Sequence, residues 1–142
     1  MKNIIFISLF LFSSFAFAAD YNAIPDTFFK KLNSDKPESA IDYLYESNKW
    51  AGKDEDQVLN LKYQVKNLNS LVGKYLFHEL ISEKKVGKHY AHLIYLVGYE
   101  RQPLRFEIKV YKTGKKWRFQ GVSFDAELAN DIENQANMNL LK

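Results

Sequence analysis

The chain has 142 residues, of which 26% are charged and 15% aromatic, with a formal net charge of +3 and no cysteine. The lack of cysteine excludes a disulfide framework, thiol catalysis and zinc–thiolate sites. Basic and acidic residues are interspersed along the sequence rather than clustered, which argues against a nucleic-acid-binding surface.

The first 18 residues have the features of a secretory signal peptide. Lys2 provides a positive start, residues 4–12 are apolar and uncharged, and residues 16–18 form a small-x-small cleavage site. The uncharged stretch is shorter than the roughly 20 residues that a membrane-spanning helix needs. We therefore expect export, to the periplasm or beyond the cell, and a single domain over residues 19–142, a length typical of one domain.

Two short helices are predicted at the start of this domain. The first spans residues 24–32, whose apolar side chains share one side of a helix. The second follows a cap at Ser34 or Asp35, has Pro37 in its first turn and ends near residues 47–49.

A longer helix is predicted from the acidic residues 54–56 to Val72. Its apolar residues recur at steps of three and four and trace one face. They are Val58, Leu61, Val65, Leu68 and Val72. Gly73 supplies the left-handed residue that commonly ends a helix. We expect this face to pack on a sheet.

The remainder of the chain alternates between strands and turns. Four strands are predicted, over residues 75–83, 90–99, 104–110 and 117–124. Apolar residues alternate with polar ones in the last three strands, which predicts an antiparallel meander with one apolar face. Pairing the strands about their short turns places Leu104 opposite Tyr99 and Val110 opposite Trp117.

The last strand changes phase at Gly121. Alternation from Trp117 and Phe119 would place the next apolar residues at 121 and 123, but the apolar residues are Val122 and Phe124. A bulge at Gly121 would accommodate this change and bend the sheet. We therefore predict strong curvature. A short final helix capped by Asp125 is expected around residues 128–132, with the residues from 134 onward frayed.

The predicted fold class is α+β, with N-terminal helices packed on a strongly curved four-stranded antiparallel meander. The stretches YLVGY at 95–99, PLRF at 103–106 and KWRF at 116–119 resemble small exported members of the nuclear transport factor 2-like superfamily of cystatin-like α+β cones. This resemblance implies a cone-like sheet, a pocket between sheet and helices, and dimerisation through the outer sheet face. The superfamily includes isomerases, dehydratases, ligand-binding modules and oligomerising domains, so the resemblance leaves the function open.

Glu79 and two histidines are the candidates for acid–base or metal chemistry. Burial of Glu79 would raise the pKa of its carboxyl toward the range of a catalytic base, whereas on an exposed edge strand it is an ordinary surface residue. His78 and His92 would share a sheet face if the turn between their strands is centred on residues 85–87. Two histidines without a third ligand do not define a metal site, so neither a metal nor a cofactor is predicted.

Two further groups of residues are candidates for binding. Aromatic rings with polar tips suit a ligand pocket, although core packing is the competing interpretation. The predicted pocket residues are Trp50, Tyr75, Tyr95, Tyr99 and Trp117. The outer face of the sheet combines apolar and charged side chains, which is typical either of a homodimer interface or of a charged surface ladder. Its residues are His92, Ile94, Leu96, Arg105, Glu107, Lys109 and Tyr111.

These patterns favour an exported module that binds a small ligand or an envelope protein, without catalytic machinery. The alternative is an isomerase-like or hydrolase-like enzyme with Glu79 as base and a tyrosine as proton donor. The expected partners are a second copy, a small molecule or an envelope protein. Nucleic acid is not expected as a partner, and no membrane span is expected once the signal peptide is removed.

Overall fold

The computed structural model describes residues 20–50 and 56–140, and it has the α+β order of elements predicted from the sequence. These elements are α1 (Ala23–Leu32), α2 (Ser39–Glu46), α3 (Asp56–Val72), β1 (Tyr75–Val86), β2 (Tyr90–Tyr99), β3 (Pro103–Thr113), β4 (Lys116–Asp125) and α4 (Leu128–Leu140). The predicted signal peptide lies outside the described residues. Within the described ranges, no helix has the length and apolar character needed to cross a membrane.

Each of the first three helices buries one apolar stripe, as the helical periodicity predicts. The buried residues are Ile24, Pro25, Phe28, Phe29 and Leu32 in α1, Ala40, Ile41 and Leu44 in α2, and Val58, Val65, Leu68 and Val72 in α3. Gly73 has a φ of 87°, which confirms the left-handed stop after α3. The predicted cap of α2 is wrong: the helix begins at Ser39, and the hydroxyl of Ser34 accepts a hydrogen bond from the Lys36 N–H in the preceding turn.

The four strands form one antiparallel sheet in the order β1-β2-β3-β4. Leu104 pairs with Val97 rather than Tyr99, and Val110 pairs with Phe119 rather than Trp117. Both predicted registers are therefore wrong by two residues, because the turns begin at other positions than expected. A shift of two residues leaves every side chain on its predicted face. The inward side chains of β2 and β3 are buried as predicted.

The predicted bulge in β4 is present. Lys109 pairs with Gly121 whereas Val110 pairs with Phe119, so Gln120 is the additional residue. Beyond the bulge Phe124 faces inward and stacks on Phe106, with ring centroids 4.9 Å apart. The phase change in the sequence therefore marked a real irregularity of the strand.

β1 contains two bulges that the sequence pattern did not indicate, at Leu76 and at Ile81. The bulge at Ile81 decides the placement of two histidines. His78 pairs with Val97 on the inward face, whereas His92 lies opposite Lys84 on the outer face. The predicted pairing of His78 with His92 on one face is therefore wrong, since one additional residue turns the first half of the strand over.

α4 is longer than predicted. It continues to Leu140, although the residues from Asn134 onward were expected to fray. No glycine or proline interrupts residues 128–140, so nothing in the local sequence breaks the helix. α4 buries no side chain, and it contacts the outer face of the sheet through an ion pair between Asp131 and Arg105 of β3.

Candidate functional site

An open groove of about 620 Å³ lies between α1 and the first half of β1. The α1 wall consists of residues at helical steps of three and four, which share one face of the helix. The residues that line the groove are Asp26, Phe29 and Lys30 from α1, Asn33 directly after it, and Tyr75, Leu76, Phe77 and His78 from β1. The volume is within the range typical of small-molecule sites.

The floor of the groove is formed by the aromatic rings of Phe29, Tyr75 and His78, and Tyr95 of β2 packs against two of them. The imidazole of His78 stacks on Phe29, with ring centroids 4.3 Å apart and planes inclined by 15°. Its Nδ1 shares a hydrogen bond with the hydroxyl of Tyr75. The ring of Tyr95 lies 4.8 Å from that of Phe29 and 6.1 Å from that of His78. The four rings therefore form a cluster that joins α1 to both β1 and β2.

The bulge at Leu76 brings Tyr75 and His78 together. Residues three apart on a regular strand point to opposite faces of the sheet. The additional residue between them places both on the inward face, where Tyr75 pairs with Tyr99 and His78 with Val97. Sequence reasoning missed this pair because regular alternation would have separated its two members.

Burial, with the nearby carboxylates of Asp26 and Glu83, sets the protonation of the cluster. Burial lowers the pKa of His78 below its ordinary value of 6.5, against the opposing effect of the Asp26 charge. Burial also raises the pKa of Tyr75 to about 12, and burial with smaller contributions from Asp26 and Glu83 raises that of Tyr95 to about 12. At neutral pH the cluster therefore presents a neutral imidazole and two protonated phenols.

The α1 wall of the groove is polar. Asp26, Lys30 and Asn33 are exposed and place a carboxylate, an ammonium group and an amide beside the aromatic floor. This combination suits a ligand with a flat apolar part and a charged or hydrogen-bonding end, because rings bury the former and the wall bonds the latter.

The five aromatic residues predicted as one pocket are divided among several places. Tyr75 lines the groove, Tyr95 packs against the lining residues Phe29 and His78, and Tyr99 contacts Tyr75 with ring centroids 5.7 Å apart. Trp50 is 74% exposed in the segment after α2, and Trp117 lies on β4, so neither lines the groove. The tyrosines meet because β1 and β2 are neighbours, whereas β4 is at the far edge of the sheet.

Glu79, the predicted catalytic base, is exposed on the outer face of β1 opposite Leu96. It follows His78 directly, and alternation along the strand turns it away from the groove. Glu79 therefore does not occupy the buried position that the catalytic interpretation required.

The residues predicted as an interface alternate along β2 and β3 on the outer face of the sheet. Three of their polar side chains, those of His92, Arg105 and Glu107, are paired within the chain. His92 Nε2 lies 2.8 Å from Glu107 Oε2, and Arg105 forms ion pairs with Glu107, with Asp125 at 2.9 Å and with Asp131 of α4. Part of this face is thus in contact with the protein's own C-terminal helix.

Within residues 20–50 and 56–140 there is no group of three or more histidine, aspartate or glutamate side chains that could hold a metal ion. No protein-family model, curated protein or solved structure matches this sequence. The resemblance to the nuclear transport factor 2-like superfamily therefore stays a prediction from sequence. The α+β class rests directly on the order of the elements and on the antiparallel sheet.

Proposed function

We propose that the chain is an exported binding module that takes a small molecule in the groove between α1 and β1. The observation that carries this proposal is an open groove of about 620 Å³ with an aromatic floor and a charged wall. Export rests on the signal-like residues 1–18. A pocket between helices and sheet is also what the resemblance to the cone-like superfamily implies.

The ligand class follows from the groove's chemistry. The stacked pair of Phe29 and His78 suits a planar ring, and the hydroxyl of Tyr75 suits a hydrogen-bonding substituent. Asp26 and Lys30 offer one charge of each sign to a substituent at the ligand's end. A substituted aromatic compound with a short charged arm therefore fits the groove best.

Three probes that share one ring test this proposal: phenol, 4-hydroxyphenylacetate and tyramine are neutral, anionic and cationic. Titrating each into ¹⁵N-labelled protein is expected to shift the backbone resonances of residues 26–33 and 75–78. His78→Ala is expected to weaken binding about fivefold, since a ring pair contributes roughly 1 kcal/mol. His89→Ala, which changes an exposed histidine in the turn after β1, is the matched control.

The proposal is rejected if none of the probes shifts those resonances at millimolar concentration. It is equally rejected if His78→Ala and His89→Ala bind every probe as the wild type does. The order of the three binding affinities shows whether the charge of Asp26 or that of Lys30 contributes more to binding.

A second candidate is a hydrolase-like or isomerase-like enzyme, favoured by the hydrogen-bonded pair of Tyr75 and His78. In this enzyme the neutral imidazole would accept the proton, in place of the exposed Glu79. Hydrolysis of 4-nitrophenyl acetate is a direct test. His78→Ala should abolish the activity, while His89→Ala and Glu79→Gln should leave it unchanged. Equal rates for the wild type and His78→Ala would eliminate this candidate.

A further inference from the structure

The two edge strands of the sheet, β1 and β4, differ in whether another part of the chain hydrogen-bonds to their backbone. At the β4 edge, the backbone N–H of Phe119 donates to Ser47 Oγ at 3.3 Å, and its carbonyl accepts from Asn48 Nδ2 at 3.0 Å. The two residues directly after α2 therefore occupy the backbone groups of this edge at Phe119. For β1, the part of the chain that the structure describes provides no such bond from another element to the free backbone edge. An uncovered edge offers unpaired N–H and C=O groups to another strand.

The uncovered strand also carries large apolar side chains. Five of them are between 43% and 63% exposed, and they are Leu76, Phe77, Leu80, Ile81 and Val86. β1 is twelve residues long, whereas edge strands that avoid pairing are commonly short. Lysines also protect edges, and β1 has Lys84 and Lys85, but it balances them with acidic residues in the same strand. Length, exposure and charge therefore suit pairing with a further strand.

The bulge at Ile81 gives β1 a self-complementary outer face. Before the bulge, Phe77 and Glu79 face outward, opposite Gly98 and Leu96 of β2. After it, Ser82, Lys84 and Val86 face outward, opposite Ile94, His92 and Tyr90. The outward side chains in chain order are thus apolar and acidic before the bulge, and a serine, a basic and an apolar residue after it. Antiparallel pairing of this sequence with itself matches acidic with basic and apolar with apolar.

We propose that β1 pairs with β1 of a second copy in the antiparallel register in which Glu79 of each copy faces Lys84 of the other. The two-fold axis then passes between Ile81 and Ser82, and Phe77 faces Val86 of the second copy. The register is specific. Moving the two-fold axis by one residue along the strand sets Glu79 opposite Ser82 or Val86 of the second copy. Moving it by half a residue pairs inward side chains of one copy with outward side chains of the other.

The same register brings the second copy to the ligand groove. On the inward face it places Lys85 of the second copy opposite His78, at the β1 wall. Each copy therefore contributes a cation to the edge of the other's groove. This dimer differs from the outer-face dimer expected from the sequence, where Arg105 and Glu107 already find partners within one chain.

Sedimentation equilibrium of the purified protein tests the proposal through a charge swap. The wild type is expected to form a dimer, and Glu79→Lys, which sets like charges opposite each other twice, is expected to weaken it about tenfold. Glu79→Lys combined with Lys84→Glu should restore wild-type affinity. Lys88→Glu, in the turn beyond the paired segment, is the control and should leave the dimer unchanged.

Two outcomes overturn the proposal. If the wild type stays monomeric, β1 does not pair with a second copy, and any strand that pairs with this edge belongs to another protein. A dimer that neither Glu79→Lys nor the charge swap alters has its interface elsewhere, the outer sheet face included. Far-ultraviolet circular dichroism of each variant verifies that these exposed substitutions leave the fold intact.

Cysteine cross-linking tests the register independently, because the natural chain has no cysteine. In Glu79→Cys combined with Lys84→Cys, directly opposite positions would form an intermolecular disulfide under mild oxidation. Within one chain the two positions are five residues apart along a strand, too far for a bond. Glu79→Cys alone should stay uncross-linked, since the register separates the two copies of that position. Cross-linking of the single variant, or its absence in the double variant, contradicts the register.

Discussion

The hydroxyl of Tyr21 donates a hydrogen bond to the carboxylate of Glu83 on β1. The ring of the same tyrosine contacts Trp117 on β4, with ring centroids 4.8 Å apart in an edge-to-face arrangement. Tyr21 is only 7% exposed and precedes α1, so one buried side chain links both edge strands to the first helix. Tyr21 thus contacts β1 and β4 at the end of the sheet opposite Tyr75 and Tyr99.

Tyr21→Phe is expected to lower the free energy of unfolding by about 1 kcal/mol, because it removes a hydrogen bond to a partly exposed carboxylate and keeps the ring contact. Urea denaturation measures this difference. Tyr63→Phe, at a tyrosine that is 70% exposed, is the control and should be neutral. Equal losses in the two variants would show that the bond to Glu83 adds nothing.

Gly73→Ala is expected to cost about 2 kcal/mol of unfolding free energy, since a left-handed backbone strains any residue with a Cβ. At Gly73 the added Cβ would also lie 2.7 Å from the Cβ of Glu100. Gly114→Ala is the matched comparison, because its φ of 60° is also positive but no atom lies within 4 Å of the new Cβ. A loss in Gly114→Ala as large as that in Gly73→Ala would exclude a contribution from the Glu100 contact.

Acid should remove the contribution of the ion pair between Arg105 and Asp125. Burial raises the pKa of Asp125, but hydrogen bonds from Arg105 and from the Glu127 N–H outweigh it and hold the pKa below its ordinary value of 3.8. A lowered folded-state pKa means that the stabilisation is present above pH 3.8 and is lost as the pH falls through the folded value.

Comparing urea denaturation of the wild type and Asp125→Asn tests this expectation. The wild type should be more stable by about 0.5–1 kcal/mol at neutral pH, a modest value because the pair is partly exposed to solvent. The difference should vanish in acid. A difference that is constant from neutral pH down to strong acid would show that Asp125 contributes through something other than its charge.

His78 should give the opposite kind of pH dependence from an ion-paired histidine. Its pKa is lowered by burial, so between the folded value and 6.5 the unfolded chain binds more protons than the folded one. Stability should therefore decrease as the pH falls from 6.5 through the folded pKa. Imidazole resonances followed by NMR should show a midpoint below 6.5, and His78→Ala should remove this part of the decrease. A midpoint at or above 6.5 would contradict the burial of the ring against Phe29.

Much of the architecture was predictable because periodicity is a local property. The limits of β2 were predicted as the structure has them, α1 differs by one residue at its start, and Gly73 ends α3 as expected. Even the bulge beside Gly121 left a signal, since an inserted residue in a regular pattern changes its phase. β1 left no such signal, because both halves of the strand mix apolar and polar residues on each face.

The candidate site was only partly predictable for the same reason. Of the five aromatic residues expected in one pocket, Tyr75 and Tyr99 contact each other and Tyr95 contacts His78, whereas Trp50 and Trp117 lie elsewhere. His78 was considered only as the partner of His92. The contribution of α1, with Asp26 at the groove wall, has no sequence signature because it depends on which part of the sheet the helix packs against.

The sequence by itself determined the order of helices and strands and the face on which each side chain of β2 and β3 lies, because a period of two is unchanged by a shift of two residues. Only the tertiary structure decided the registers, the two bulges of β1 and the placement of α1 over its first half. These depend on packing between residues far apart in the chain, such as Phe29 on His78. With the bulges of β1, this packing places His78 inward, at the groove, and Glu79 outward, where we propose that it faces Lys84 of a second copy.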